Sequence, residues 1–373
     1  MRTIRTWLAI AALSAAPAAF AQNTTIGALF PMSGPNATYG DIFSSGANLA
    51  AEHINADKML GEARLAIQYE DSQALPQQGV IGMNKLVNVH KVPYVLSAFT
   101  GVSKAIAPLA QRTKTVAVNG GGVGPDLAEL GEYFWNVIPL ANLEVKAMIP
   151  YLTQDRKLTR FVLVYVDDPL GQSVRAQMQE TLKSAGGELL ESLSVPVTAQ
   201  QFSGIAARVR AANPDVVYIA SYGSQQAQIV KQFRDNGVKQ QLASYSAFSV
   251  PEIAKLPEAA GALYTTQNVD WNSTDPVTRR FVDDYRAKYD RAPTAYVANY
   301  YNAVRLFGLL SKDLLAAGKP LTGENLLAQR KATGTFELVG GKVTILENGT
   351  ALSPMQVVEV DGAGGKVVAS GLK

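Results

Sequence analysis

The stretch that decides the fold runs from Ile26 to Asp41 and reads Ile-Gly-Ala-Leu-Phe-Pro-Met-Ser-Gly-Pro-Asn-Ala-Thr-Tyr-Gly-Asp. Its first five residues form an apolar run typical of a short strand, and Pro31 cannot continue a strand inside a sheet. A Ser-Gly-Pro turn follows, and apolar residues at helical spacing predict a helix from about Asp41. Ligands collect at such strand-loop-helix junctions in open α/β sheets, and Tyr39 lies at this one.

The same alternation of short strands and amphipathic helices continues along the chain. A first run predicts strands at 64–70, 94–97 and 116–119 and helices at 76–89 and 102–112. A second run begins near Pro139, with strands at 160–166, 188–195, 216–220 and 263–267 and helices at 142–153, 171–185, 202–212 and 224–236. The segment 275–289 and a long helix at about 295–317 then break the simple alternation, and strands around 342–345 and 356–360 lie in the last part of the chain. We therefore predict two Rossmann-like α/β lobes with parallel sheets, joined by strands because no Ser/Gly-rich tether separates the two runs.

Length and composition exclude several classes of function. A chain of 373 residues with 47% hydrophobic and 17% charged residues is typical of a globular protein with two lobes. The formal net charge of +3 includes Arg2 and Arg5 of a segment that we expect to be removed, so the mature chain carries about +1, too little for a nucleic-acid or anionic-membrane partner. Because cysteine is absent, disulfides, zinc-thiolate sites and thiol nucleophiles are excluded. His53 and His90 lack partners at metal-ligand spacing, so we expect packing or surface roles for both and no metal site.

The N-terminus has the features of a secretory signal peptide. Basic Arg2 and Arg5 precede an apolar run from Trp7 to Leu13, and Ala19-Phe20-Ala21 is a small-x-small cleavage site. The apolar run is shorter than the ~20 residues that span a bilayer, and no cysteine follows for lipid attachment. We predict cleavage after Ala21 and a mature protein in the periplasm.

Motifs for catalysis are incomplete. The Gly-Gly-Gly-Val-Gly run at 120–124 is not a dinucleotide fingerprint, because Pro125 stands where the last glycine should be. Gly-Val-Ser-Lys-Ala at 101–105 falls one residue short of a nucleophile elbow. Asp167 and Asp168 are adjacent and point apart, so we expect a helix cap rather than a carboxylate dyad. The sequence thus predicts a protein that is not an enzyme and uses no cofactor.

The same loops are better suited to binding. Thr100, Gly101 and Ser103 lie between a predicted strand and a predicted helix, and a helix N-terminus attracts a carboxylate. The alternative is that Thr100 or Ser103 merely caps the helix. The glycine run at 120–124 follows the neighbouring strand, and its amides could approach a ligand closely because no side chains intervene.

Two motifs carry a family resemblance. Pro-Met-Ser-Gly-Pro at 31–35 followed by Thr-Tyr-Gly-Asp at 38–41 resembles the opening of the leucine/isoleucine/valine-binding protein family, the periplasmic solute receptors of one class of ABC importer. The resemblance covers nearly the whole mature chain. It implies a type I periplasmic-binding-protein fold with a three-strand hinge near residues 139–142, 266–270 and 346–352. Lobe 1 would comprise residues 22–140 and 269–348, and lobe 2 residues 141–268 and 349–373.

The resemblance also implies the ligand contacts. Tyr39 and Tyr222 match aromatic contacts from opposite lobes, and Gly101 and Val123 stand where related receptors use a serine and a hydroxyl residue. The acids that pair with a ligand ammonium correspond to Ser246 and Ala141 here. The predicted ligand contacts are Tyr39, Phe99, Thr100, Gly101, Ser103, Gly121, Gly122, Val123, Tyr222 and Ser246.

The identity of the solute stays open at this point. A buried ammonium without a carboxylate costs several kcal/mol, and neither Ser246 nor Ala141 is anionic, which favours an acid without an α-amine. An amino acid remains possible if the correspondence slips by one or two residues, since Glu144 or Asp168 could then pair with the ammonium. Phe99, Tyr245 and Phe248 join Tyr39 and Tyr222 near the predicted strand ends and fit an aromatic or branched aliphatic acid, although Phe99 and Phe248 fit core packing equally well.

Two functions follow from these predictions. The first is a monomeric periplasmic receptor that closes on its solute and delivers it to the permease and ATPase subunits of an ABC importer. The alternative is a sensing module of the same fold that passes its signal to a chemoreceptor or kinase.

Overall fold

The structure, a computed structural model, describes residues 23–362 and 365–372. The predicted signal peptide, residues 1–21, lies outside the described residues. Two β-sheets with helices packed on them, and a small third sheet, make up the described chain.

The first sheet is parallel and has the strand order β2-β1-β3-β4-β5. Its strands are β1 (Thr24–Phe30), β2 (Leu65–Asp71), β3 (Tyr94–Ser97), β4 (Val116–Asn119) and β5 (Phe134–Asn136), and the helices between them are α1 (Ala37–Ala56), α2 (Pro76–Asn88) and α3 (Thr100–Thr113). A 3₁₀ turn, Pro125–Glu129, precedes β5. All residues of β3 and β4 are buried, as expected for the apolar central strands of a parallel sheet covered on both faces.

The second sheet begins after a new helix and repeats the same pattern. Its elements in chain order are α4 (Ala141–Pro150) with a π-helical turn (Tyr151–Asp155), β6 (Arg160–Val166), α5 (Pro169–Ala185), β7 (Glu188–Val195), α6 (Ser203–Ala212), β8 (Val216–Ala220), α7 (Gly223–Asp235), β9 (Gln241–Ser244), α8 (Pro251–Ala254) and β10 (Leu263–Gln267). Two 3₁₀ turns, Ser246–Ser249 and Pro257–Ala259, flank α8.

The last part of the chain adds a helix against α1, a small separate sheet and two strands of the second sheet. It contains α9 (Pro276–Tyr289), α10 (Ala295–Ala316), α11 (Gly323–Thr333), β11 (Thr335–Leu338), β12 (Gly341–Ile345), β13 (Ala351–Leu352), β14 (Met355–Glu359) and β15 (Lys366–Leu372). Helix α10 packs along α1, while β11, β12 and β13 form a separate antiparallel sheet.

Strands β14 and β15 extend the second sheet to the order β15-β14-β10-β9-β8-β6-β7. Because β14 runs antiparallel to both β10 and β15, the second sheet is mixed: its strands from β6 to β10 are parallel, as the sequence predicts, and its edge strands β14 and β15 are not. The predicted fold class, two α/β lobes of the periplasmic-binding-protein type, is confirmed.

Three crossing segments connect the two sheets. The first follows β5, where Val137 N donates to Asn119 O at 2.9 Å. The second follows β10, where Asn268 N donates to Pro354 O at 2.8 Å, and the third precedes β14 and bonds to the first through Asn136 N and Gly349 O at 2.9 Å. The third crossing segment therefore contacts both of the others.

Candidate ligand-binding cleft

A cavity of about 130 Å³ lies between the two sheets, at the carboxyl ends of their strands. One wall comes from the residues that follow β2, β3 and β4, and the other comes from the residues that follow β6, β7, β8 and β9. Carboxyl ends of parallel strands are the usual ligand sites of α/β sheets. The cavity is therefore the candidate binding site.

Eight of the ten predicted contacts line this cavity: Tyr39, Phe99, Thr100, Gly101, Gly121, Gly122, Val123 and Tyr222. Tyr39 lies within the first turn of α1, because this helix begins at Ala37 and not near Asp41 as predicted. Helix α3 likewise begins two residues before its predicted start and includes Thr100 and Gly101.

Ser103 and Ser246 do not line the cavity. The Ser103 hydroxyl lies 2.9 Å from the Ser97 hydroxyl beneath the wall. The Ser246 hydroxyl donates to Glu144 Oε1 at 2.8 Å. Both serine side chains are buried and already engaged, so the structure does not support their prediction as ligand contacts.

Aromatic rings from the two walls meet at the cavity. The Phe99 ring lies edge-on to Tyr39, with ring centroids 5.6 Å apart, and edge-on to Tyr222 of the opposite wall, with centroids 5.3 Å apart. The Tyr39 hydroxyl accepts a hydrogen bond across the cleft from Gly223 N at 3.4 Å. These rings give the cavity large apolar surfaces with polar tips.

Helix α3 presents its N-terminus to the cavity. Its first intrahelical bond runs from Ser103 N to Phe99 O at 2.9 Å, so the amides of Thr100, Gly101 and Val102 have no acceptor within the helix. The cap residue is Phe99, whose φ of +64° is unusual for a residue other than glycine, and no side chain caps the helix. The alternative that Thr100 or Ser103 caps this helix is therefore wrong.

The glycine loop after β4 is fastened to the end of that strand. Its amides at Gly121 and Gly122 donate to Asn119 Oδ1 at 3.2 and 2.7 Å, and so are already paired. At Gly122 a Cβ atom would lie 2.9 Å from Thr100 N, so only glycine lets this loop pack against the start of α3. The loop shapes the cavity wall.

Asp168 supplies a carboxylate to the opposite wall. As predicted, it caps the following helix: its Oδ1 accepts from Gly171 N at 2.9 Å. Its Oδ2 accepts from the Tyr222 hydroxyl at 2.6 Å. Burial raises the pKa of Asp168, while these two hydrogen bonds oppose that shift. No lysine, arginine or histidine is among the described residues that line the cavity.

Glu144 lies behind the cavity and is fully buried. It accepts from Ser246 N at 2.6 Å as well as from the Ser246 hydroxyl, which lies 3.4 Å from the hydroxyl of Tyr296 in the cavity wall. Burial raises the pKa of Glu144 to about 8. Ala141 is buried as well, and its amide donates to Val123 O at 2.6 Å.

Sequence reasoning missed several residues of the cavity wall. Tyr296 comes from α10, which follows all the other elements of the cavity wall in the chain, and no motif marks it. Tyr245 was noted as an aromatic residue near a strand end but was not among the predicted contacts. Asp168 was expected to cap a helix and was not among the predicted contacts either. The remaining missed residues are apolar: Ala74, Leu75, Pro76, Pro169, Leu170 and Val197.

Outside the cavity, His53 is a packing residue. Its ring nitrogens lie 2.7 Å from the Tyr301 hydroxyl and 3.0 Å from Asp284 Oδ2, and burial lowers its pKa. In residues 23–362 and 365–372 we find no group of three His, Cys, Asp or Glu side chains placed to hold a metal ion. The helices within the same residues are all too short or too polar to cross a membrane.

Known proteins match this chain along most of its length. A model of the periplasmic binding protein family matches residues 23–366. A Leu/Ile/Val-binding protein homolog 7 from Brucella abortus is 25% identical over 358 residues, which is 91% of this chain and 87% of that protein.

Two solved structures have the same fold. One is the solute-binding protein of an ABC transporter from R. palustris in complex with benzoate, with a TM-score of 0.85, 16% identity and coverage of 94% of this chain and 96% of that one. The other is LivJ, the substrate-binding protein of a branched-chain amino acid transporter from Streptococcus pneumoniae in complex with isoleucine, with a TM-score of 0.84, 19% identity and coverage of 94% and 99%. The resemblance seen at residues 31–41 is thereby confirmed, and the chain belongs to the periplasmic binding protein family, in which it is similar to the Leu/Ile/Val-binding proteins.

Proposed function

We propose that this protein is the solute receptor of an ABC importer of the branched-chain amino-acid class, and that it traps a small carboxylate-bearing solute between its two walls. The observation that carries the proposal is the cavity itself, where aromatic rings from opposite walls meet beside the N-terminus of α3. Related proteins solved with benzoate and with isoleucine support a solute of this size and kind.

The chemistry of the cavity favours an acid. Three amides at the start of α3 lack intrahelical acceptors, and the positive end of the helix dipole attracts a carboxylate. A cavity of about 130 Å³ is close to the roughly 150 Å³ of an apolar protein cavity that holds benzene. Ser246 and Ala141, which stand where related receptors place the acids for a ligand ammonium, are uncharged and do not line the cavity, which favours an aromatic or aliphatic acid without an α-amine. An amino acid would have to pair its ammonium with Asp168, the one carboxylate among the described residues of the cavity wall.

Binding would proceed by closure of two lobes. In our proposal residues 22–140 with 269–348 form lobe 1, residues 141–268 with 349–373 form lobe 2, and the three crossing segments form the hinge. The loops of lobe 1 hold the carboxylate first, and Tyr222 of lobe 2 contacts the solute when the hinge bends, so that the solute stabilises the closed form. The receptor would work in the periplasm as a monomer, after cleavage following Ala21, together with a permease and an ATPase.

A thermal-shift screen tests this proposal. The panel contains leucine, isoleucine, benzoate, hydroxybenzoates and branched aliphatic acids. A solute present at 100 times its dissociation constant stabilises its receptor by about 2.7 kcal/mol, so a true ligand should raise the melting temperature by several degrees. If no carboxylate in the panel shifts the melting temperature, the proposal is wrong.

The substitution Tyr222→Ala tests whether the solute binds in the cavity between the two walls. We expect the dissociation constant of the best solute to rise at least tenfold, because the ring contact across the cavity is lost, while the melting temperature of the free protein changes little. Tyr289→Ala is the matched control, since Tyr289 is also half-buried but lies outside the cavity. Equal losses of affinity and stability in Tyr222→Ala would contradict a ligand role for this residue.

A further inference from the structure

We propose that Asp168 makes the receptor selective for small acids that also carry a hydrogen-bond donor, a hydroxyl or an ammonium group, directed at the wall opposite the α3 N-terminus. This inference rests on the proposed function and narrows its class of solute. Among the described residues that line the cavity, Asp168 is the one acidic side chain.

The Asp168 carboxylate is held in a fixed orientation. Its Oδ1 is the cap of α5, a helix of 17 residues, and its Oδ2 accepts from Tyr222 at 2.6 Å. The adjacent Asp167 differs from Asp168 in exposure, position and hydrogen-bond partner. It is exposed, lies outside the cavity and accepts from the Gln172 side chain at 2.9 Å. Only Asp168 thus presents a carboxylate to a bound solute.

The carboxylate keeps an open acceptor position. An ionised carboxyl group offers about four acceptor positions, and hydrogen bonds within the protein fill two of them, from the Tyr222 hydroxyl and the amide of Gly171. The neighbouring wall residues Pro169, Leu170 and Val197 are apolar, and no basic side chain lines the cavity in the described chain. When a solute displaces water from this part of the cavity, a donor for the open position therefore has to come from the solute itself.

An apolar solute placed against Asp168 would be penalised. It would remove water from the carboxylate without replacing the lost hydrogen bond, and an unpaired buried charge is costly. A site that hydrogen-bonds a ligand hydroxyl binds an analogue without that hydroxyl much more weakly. The loss is far larger than the loss that an apolar pocket shows when its ligand is shortened by one methylene group. Hydroxylated aromatic acids satisfy both walls, with the carboxylate at α3 and the hydroxyl at Asp168.

Calorimetric titration with three pairs of solutes tests the inference. Within each pair the members differ by one donor: benzoate and 4-hydroxybenzoate, benzoate and 3-hydroxybenzoate, and 4-methylpentanoate and leucine. For the wild-type protein we expect at least a tenfold lower dissociation constant for the donor-bearing member of one or more pairs. The hydroxybenzoate pairs and the leucine pair separate a hydroxyl donor from an ammonium donor.

Two variants remove the acceptor while keeping the helix cap. Asn and Ser are both good cap residues, so Asp168→Asn and Asp168→Ser should fold, which their melting temperatures will show. In both variants we expect the preference for the donor-bearing solute to fall to less than threefold. The matched control, Asp167→Asn, should keep the wild-type preference.

The outcomes separate this inference from the function on which it rests. If the solutes bind but the wild-type protein shows no preference within any pair, or if both Asp168 variants keep the preference, the inference is overturned and the proposed function stands. If the wild-type protein binds no solute of the panel, the proposed function is wrong and the inference is overturned with it.

Discussion

At the scale of single residues, Glu144 is a buried carboxylate in the first turn of α4 that contacts no basic side chain within the described chain. Its hydrogen-bond donors are the amide and hydroxyl of Ser246 and, at 3.4 Å, the hydroxyl of Thr265. These neutral donors offset only part of the desolvation of a carboxylate, which is why the pKa of Glu144 rises from 4.5 to about 8.

This shift predicts a pH dependence of stability. In the unfolded chain Glu144 loses its proton near pH 4.5, whereas in the folded protein it keeps the proton up to about pH 8. The folded state therefore binds more protons in this window, and the free energy of unfolding falls as the pH rises, by up to about 1.4 kcal/mol per pH unit. The loss is complete above the folded-state pKa.

The variant Glu144→Gln should remove this dependence. Urea unfolding at pH 5 should give similar free energies for both proteins, and at pH 8 the variant should be more stable than the wild-type protein by at least about 2 kcal/mol. Glu62→Gln, at an exposed position, is the control and should follow the wild-type curve. Parallel curves for wild type and Glu144→Gln would show that Glu144 does not titrate in this window.

At the scale of elements, the site depends on how the glycine loop is fastened to the sheet. Asn119, the last residue of β4, is fully buried and accepts from the amides of Gly121 and Gly122. Its Nδ2 donates to Gly122 O at 2.7 Å and to Asn136 Oδ1 at 2.9 Å, which links the loop to the start of the first crossing segment. One side chain thus connects the cavity wall with the hinge.

Replacing this side chain should destabilise the protein. Asn119→Ala leaves two loop amides and a carbonyl without partners, and we expect a loss of about 3 kcal/mol in the free energy of unfolding, measured in urea. The same change should weaken solute binding, because the loop no longer holds its shape against α3. Asn84→Ala, on the exposed surface of α2, should change stability by less than about 0.5 kcal/mol. A similar small effect at Asn119 would contradict its role as the fastening residue.

The elements also show what the sequence could predict. Strands β3, β4, β6, β7, β8 and β10 have their predicted bounds. Apolar runs between turn residues mark the five buried strands among them clearly, whereas β7 is only partly buried and mixes apolar with polar residues. The three-residue β5, the four-residue β9 and the largely exposed β15 were not predicted. Strand β9 is no shorter than β3 or β4, but polar Gln241 and Ser244 form its two ends and leave only two apolar residues as a signal. Helix starts were predicted two to four residues late at α1, α3 and α5. Neither α1 nor α3 has a side-chain cap to mark its start, whereas at α5 the cap residue Asp168 was recognised but the helix begins directly after it, at Pro169.

For the site, the sequence predicts cavity residues correctly where their place at the end of a strand decides whether they line the cavity. Residues such as Phe99 and Tyr222 directly follow buried strands, and the topology alone brings them to one cleft. Ser103 and Ser246 follow strands as well, but their hydroxyls turn to buried partners, and the sequence does not encode that choice in any local pattern. Tyr296 depends on how α10 packs across the first sheet, which is a long-range property.

At the scale of the whole molecule, three crossing segments join the two walls of the cavity, and hydrogen bonds connect these segments to one another. Besides the backbone bonds between crossing segments, the buried Arg330 stacks over Trp135 with its guanidinium 5.0 Å from the ring centre. It donates to the carbonyls of Leu346 and Glu347 at 2.8 and 3.0 Å, and so holds the third crossing segment against β5. Such a connection favours bending of the walls as rigid bodies over local loop motion.

The central claim is that a small acid is held between the two walls. A crystal structure of the protein with the solute that gives the largest thermal shift tests it most directly. We predict electron density for the solute between Tyr39 and Tyr222, with its carboxylate about 3 Å from the amides at the start of α3 and with contacts to both walls. A solute bound elsewhere, or one that touches a single wall, would contradict the account.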